Sequence, residues 1–105
     1  MSRAFIFTAL LALACPAGAA TAVKFTSADG CALAALYQAP STGAYVFVNA
    51  HGLGSNKEEW AVFQQALEAR GQGYLSIDLR GHGGSRTCSG IEADYKTFTK
   101  ADWGK

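Results

Sequence analysis

The sequence predicts an α/β fold, a β-hairpin followed by a parallel strand-helix-strand crossover. Three observations carry this reading. Two short apolar segments flank the turn signal Ala28-Asp29-Gly30. A continuous apolar run, Tyr45 to Val48, leads at once into a Gly-rich polar turn. About 40 residues, Ala44 to Ser85, then alternate strand, helix and strand, which is the span of a right-handed crossover joining parallel strands.

Each element has a local reason. Val23 to Ser27 (VKFTS) alternates as a strand does, and Cys31 to Tyr37 (CALAALY) returns as its partner. Pro40 ends that strand in the loop Ala39 to Gly43. Tyr45, Val46, Phe47 and Val48 are aromatic or β-branched, and an unbroken apolar run suits a strand buried on both faces. Ser55 and Glu58 have the spacing of a capping box at the start of a helix. Trp60, Phe63 and Leu67 recur at helical spacing as packing residues, and Gly71 supplies the helix stop. Tyr74, Leu75, Ile77 and Leu79 form the next strand, which runs out into Asp78-Leu79-Arg80-Gly81-His82-Gly83-Gly84-Ser85. Arg86 to Gly90 reads as polar loop. Ile91 to Lys105 is weakly amphipathic with no cap, and its end resembles a helix cut within its first turns.

Bulk composition narrows the function classes. Half the residues are hydrophobic and 16% are charged, which excludes a disordered or fibrous chain. A net charge of +1 argues against nucleic acid or an anionic membrane as partner. No internal apolar run is long enough for a stable membrane span. Residues 1–19 read as a signal peptide: basic Arg3, an apolar run from Ala4 to Cys15, Pro16, then Ala17-Gly18-Ala19 as a small-x-small cleavage site. Residues 20–105 are then one domain, exported to the periplasm or secreted. Lipidation at Cys15 is the weaker alternative, because Ala12-Leu13-Ala14 matches that signal poorly. An exported chain would keep Cys31 and Cys88 in an oxidising compartment. Spacing alone leaves open whether they bond or stay as two buried thiols.

The motifs that bear on chemistry lie at two strand ends. Gly52-Leu53-Gly54-Ser55-Asn56-Lys57 follows a strand and opens a helix, but Lys57 stands where a dinucleotide loop needs its third glycine. It is not a phosphate-binding G-x-x-x-x-G-K-[ST] loop either. His51 and His82 lack the His-x-x-x-His or Cys-x-x-Cys spacing of a zinc site, so no metal and no cofactor are expected. Asp78 and Arg80 are placed to pair or cap locally, while Ser55 and Ser85 read as turn and cap residues.

Taken together, GCALAALYQAP, VFVNAHGLGSNKEEW and SIDLRGHGGS resemble the N-terminal part of the α/β-hydrolase superfamily, in particular secreted esterase-like and dienelactone-hydrolase-like members. The resemblance covers residues 23–103. It implies four strands in spatial order 1-2-4-3, the first part of an incomplete sheet, and a small ester or similar acyl substrate for the full-length family. It also implies that the loop His51, Gly52, Leu53, Gly54 belongs to the oxyanion hole, with the Leu53 N–H as donor. In such proteins the equivalents of His51 and His82 are not the catalytic base: the first orients the turn. Asp78, Arg80, Gly81, His82 and Gly83 would form a structural loop.

One departure decides how far the resemblance carries function. The nucleophile elbow G-x-S-x-G is absent from the 105 residues. The resemblance places nucleophile, acid and base after the fifth strand, beyond Lys105, so none of the triad is expected in this chain. In the order 1-2-4-3 the apolar third strand would be an open edge, a template for pairing with a partner chain.

Overall fold

The computed structural model describes residues 19–105. The expected export segment, apart from Ala19, lies outside the described residues, as does Cys15. β1 (Thr21–Thr26) and β2 (Cys31–Gln38) form the antiparallel hairpin in the register Thr26↔Ala32 to Thr21↔Tyr37. β3 (Val46–Ala50) and β4 (Gly73–Ile77) are parallel, with Val46 opposite Gly73 and Ala50 opposite Ile77. β4 also lies antiparallel to β2. The first four strands therefore stand in the order β1-β2-β4-β3, as the resemblance implies, and β3 is an edge.

The crossover helix starts differently from expectation. Residues Lys57–Trp60 form a 3-10 turn before α1 (Ala61–Ala69). The cap is Asn56, whose side chain accepts the Glu58 N–H at 3.0 Å, and not the expected Ser55–Glu58 box. Ser55 lies one residue earlier, in the preceding turn, where its N–H bonds the Gly52 carbonyl. The helix stop at Gly71 is a Schellman pair: Gly71 N–H bonds the Glu68 carbonyl and Gln72 N–H bonds that of Leu67.

β3 is not buried on both faces. Val46, Phe47 and Val48 are exposed, Val48 by 66%, and Asn49 is the buried residue of the strand. The reason is that α1 covers only part of one face, where Phe63 meets Phe47 edge-on, and β3 has β4 as its one partner among the described residues. Beneath α1 the sheet carries a buried polar contact. Ser76 Oγ accepts from Asn49 Nδ2 at 2.9 Å and from Gln64 Nε2 at 2.6 Å, tying β3, β4 and α1 together. Tyr74 is buried beside it and donates its hydroxyl to Glu68 at 2.6 Å.

The segment after Ser85 corrects the loop reading. β5 (Thr87–Cys88) and β6 (Ile91–Glu92) form a small hairpin, and β5 pairs with the start of β2. The turn is Ser89-Gly90, with φ of 50° and 76°, the geometry of a two-residue type I′ connection. Cys31 and Cys88 face each other in the β2–β5 register and are joined by a disulfide. The final helix α2 (Lys100–Trp103) is capped after all: Thr99 N–H and Oγ1 both bond the Asp102 carboxylate, at 2.8 and 2.9 Å.

Candidate functional site

The parallel pairing of β3 and β4 brings both strands to their C-terminal ends side by side, Ala50 opposite Ile77. The next residues are His51 on one side and Asp78 on the other. The crevice outside the carboxyl ends of parallel strands is where open α/β sheets place ligands. Two loops meet there: the turn His51 to Ser55, and the loop Asp78 to Ser85.

Gly52-Leu53-Gly54-Ser55 is a β-turn closed by Ser55 N–H on the Gly52 carbonyl at 3.1 Å. Gly54 sits at its third position with φ +80°, the left-handed geometry of a type II turn. A side chain there would also meet the Tyr95 hydroxyl at 3.2 Å. The turn's peptide groups are held from outside. Gly52 N–H donates to Glu59 at 3.0 Å, Gly54 N–H donates to His82 Nε2 at 3.0 Å, and the Gly52 carbonyl accepts from His51 Nδ1 at 2.8 Å. Between them the Leu53 N–H has no acceptor among the described residues, and Leu53 is 73% exposed.

Both histidines are buried and hydrogen-bonded at both ring nitrogens. His51 Nε2 accepts from the Leu79 N–H at 2.9 Å, and His82 Nδ1 lies 3.0 Å from the Arg80 carbonyl. An amide N–H needs a lone pair, so Nε2 is unprotonated in each ring and Nδ1 carries the hydrogen. The rings touch each other with centroids 4.8 Å apart, and His82 stacks on Tyr95 at 4.2 Å. With both Nε2 lone pairs engaged, neither ring offers a free base.

Asp78 holds the second loop to the first. Its fully buried carboxylate accepts from Lys57 N–H at 2.7 Å, Lys57 Nζ at 2.9 Å and Gly84 N–H at 2.9 Å. Burial alone would push this carboxyl up. The Gly84 amide, the Lys57 ammonium and the Lys57 amide outweigh it and hold Asp78 below its ordinary value. The same contact raises the Lys57 ammonium. Asp78 therefore pairs with Lys57 and not with Arg80. Arg80 reaches away, forking onto Asp29 in the hairpin turn, which holds the Asp29 carboxyl well below the usual range. Neighbours along a loop need not face each other: the chain turns between them, and Arg80 follows the sheet toward β2.

The remaining loop residues close the framework. Gly81 N–H bonds the Ser85 carbonyl, and its own carbonyl accepts from Tyr95 N–H. A Cβ at Gly83 would stand 2.5 Å from the Asp78 carboxyl, so that approach excludes any side chain. Ser85 is buried, donating to the Asp78 carbonyl at 2.6 Å and accepting from Ala34 N–H at 2.9 Å. Its hydroxyl is structural, as its turn context indicates.

The structure thus gathers His51, Gly52, Leu53, Gly54, Asp78, Gly81, His82 and Gly83 at one strand end. Arg80 is displaced to the hairpin, and the Cys31–Cys88 disulfide lies beside it, where a cavity of about 410 Å³ opens between the hairpin turn and α2. Lys57, Glu59 and Tyr95 are site residues that sequence reasoning passed over. Lys57 at the mouth of the capped helix was the available signal; Tyr95 carried none. Residues 45–103 match a family model described as the alpha/beta hydrolase fold. No curated protein and no solved structure matches the chain.

Proposed function

We propose, for a chain that belongs to the alpha/beta hydrolase fold family, that it supplies the oxyanion-turn portion of an exported serine hydrolase acting on ester or similar acyl bonds. The observation that carries this is the Leu53 N–H, left without an acceptor among the described residues in a turn whose neighbouring peptide groups are held. Acyl transfer develops negative charge on the carbonyl oxygen, and a fixed N–H aimed at that oxygen lowers the barrier without reorganisation. Attack and proton transfer need other groups. The 105 residues contain no G-x-S-x-G, Ser85 is buried in structural bonds, and both histidine Nε2 atoms are engaged. The chain alone therefore turns over no substrate. The leader-like residues 1–19 and the disulfide support an exported, periplasmic or secreted setting.

The turn type provides a clean test. Leu53 occupies the second position of a type II turn, where proline is favoured. Leu53→Pro keeps the turn and deletes the donor, at the cost of a side chain that is 73% exposed. We expect the purified chain to leave an activated ester at its background rate. Completed by the segment of a family esterase that carries elbow, acid and base, it should hydrolyse the ester, and Leu53→Pro should lower kcat by about 10²–10³-fold. A folded, active chimera indifferent to Leu53→Pro would overturn the assignment. So would serine-inhibitor-sensitive turnover by the chain alone.

A second reading is favoured by β3, an edge strand with Val46 and Val48 exposed. In it the chain is a non-catalytic exported module that pairs this edge with a partner strand. A soluble monomer that unfolds cooperatively would count against that reading.

A further inference from the structure

We infer that His82 is a positioning residue for the oxyanion turn, an acceptor that fixes the peptide plane on the far side of Leu53. The inference rests on the oxyanion reading above. Leu53 lies between two peptide planes. The plane before it contains the Leu53 N–H and the Gly52 carbonyl, and His51 Nδ1 grips that carbonyl at 2.8 Å. The plane after it contains the Leu53 carbonyl and the Gly54 N–H, and His82 Nε2 accepts that N–H at 3.0 Å from 28 residues along the chain.

Turn chemistry makes the second contact consequential. Type I and type II turns differ mainly in the orientation of the peptide between their two central residues, here Leu53 and Gly54. Flipping that plane would turn the Gly54 N–H away from His82. The acceptor therefore selects the type II form and restrains the backbone of Leu53.

The ring is built to hold this role. The Arg80 carbonyl fixes Nδ1 as the donor, Tyr95 stacks flat on one face with planes 8° apart, and His51 packs against it. His82 is 2% exposed, so water does not compete for Nε2. The anchor points of the two rings, Leu79 N–H and the Arg80 carbonyl, are successive residues of the β4 exit. The β4 loop thereby sets the geometry of the β3 turn through two neutral imidazoles.

The test reads the bond itself. In the full chain labelled with ¹⁵N, a scalar coupling across the N–H···N bond should connect the Gly54 amide to His82 Nε2, with a second between Leu79 and His51. His82→Phe keeps a ring on Tyr95 and removes the acceptor. It should abolish the first coupling, retain the second and speed Gly54 amide exchange by on the order of tenfold. His82→Gln, whose amide oxygen can accept the same N–H, should restore slow exchange. A protonated Nε2 with no Gly54 coupling in the unmodified chain would overturn the proposal, whatever the variants do. So would a folded His82→Phe chain with unchanged Gly54 exchange, or a folded His82→Gln chain that exchanges as fast as His82→Phe. The Leu53→Pro kinetics test the oxyanion assignment and these spectra test the positioning, so the two ideas can fail separately.

Discussion

The strand exits and the strand faces of this chain obey opposite rules. At the exits of β3 and β4 the polar groups are inside: Asp78, His51, His82 and Ser85 are buried, and each is hydrogen-bonded. On the face and edge of β3 and on α1 the apolar groups are outside, with Val46, Val48 and Val62 exposed. A buried polar group is tolerated only when its partners are in place, and at the exits all of them come from within the chain. An apolar face is satisfied by cover, and among the described residues that cover is partial. A framework of specific bonds can thus be complete where the hydrophobic packing around it is not. Perturbations should then cost far more at the exits than on the β3 face.

The largest effect is expected at Asp78. Asp78→Ala leaves the Lys57 and Gly84 amides without their acceptor and takes from the Lys57 ammonium its buried carboxylate, leaving it the exposed Glu58 at 3.0 Å. Losing the buried partner of such a network costs about 3–5 kcal/mol. Urea unfolding of the variant checks this, and a loss under about 1 kcal/mol would erase the contrast between the two regions. The acid limb has a definite sign. The folded carboxyl sits below its ordinary value of 3.8, so its contribution is complete above that pH and fades as pH falls through the lower folded value. The variant should lack that part of the acid transition.

Next comes the disulfide. It closes a loop of 57 residues between β2 and β5, which the chain-entropy model values at about 4 kcal/mol. Paired Cys31→Ser and Cys88→Ser substitutions should lower the unfolding free energy by that amount, read as a lower urea midpoint. A midpoint indifferent to reduction would show that the β5–β6 hairpin is held by something else.

Tyr74 gives a smaller effect with the opposite pH sign. Burial and the Glu68 carboxylate push its hydroxyl up to about 12 from 10.0. The neutral form is favoured by folding, so stability is complete below pH 10 and is lost as pH rises toward 12. Tyr74→Phe should flatten that alkaline decline, measured by thermal unfolding across the range. An unaltered decline would place its origin outside this contact.

How much of this was legible in the sequence follows from range. The hairpin, the crossover and the helix stop at Gly71 are local patterns and stand as read. The strand order came from resemblance, since spacing alone does not rank strands. The Ser55 cap failed because two adjacent polar residues offered the same cap, and Asn56, next to the helical turn, is the one whose side chain accepts the Glu58 N–H. The Thr87–Glu92 hairpin was readable from Ser89-Gly90 as a two-residue turn, but its strands are too short to show alternation. The site residues were legible as motifs, while their partners were not. Lys57 to Asp78, Gly54 to His82 and Leu79 to His51 span 21 or 28 residues, and no local periodicity encodes which side chain meets which. The apolar run of β3 is a separate case: composition reports what a strand is fit to bury, and only the surroundings decide whether it is covered.

Val48 isolates that last point and carries the smallest effect. It is 66% exposed on the edge strand, so it contributes little burial to the chain as folded. Val48→Thr keeps the β-branched shape and removes apolar surface. Its effect on unfolding should stay within about 0.5 kcal/mol, as for surface sites generally. Its effect on self-association should be larger, because an exposed apolar edge is a pairing template whatever the stability of the fold behind it. Light scattering against concentration separates the two readouts. A cost above about 1 kcal/mol would mean that β3 is packed as tightly as the exits. The opposition between faces and exits would then be false. Reduced association at unchanged stability would leave the exits as the self-sufficient part of the chain and the β3 edge as the part that acts toward other molecules.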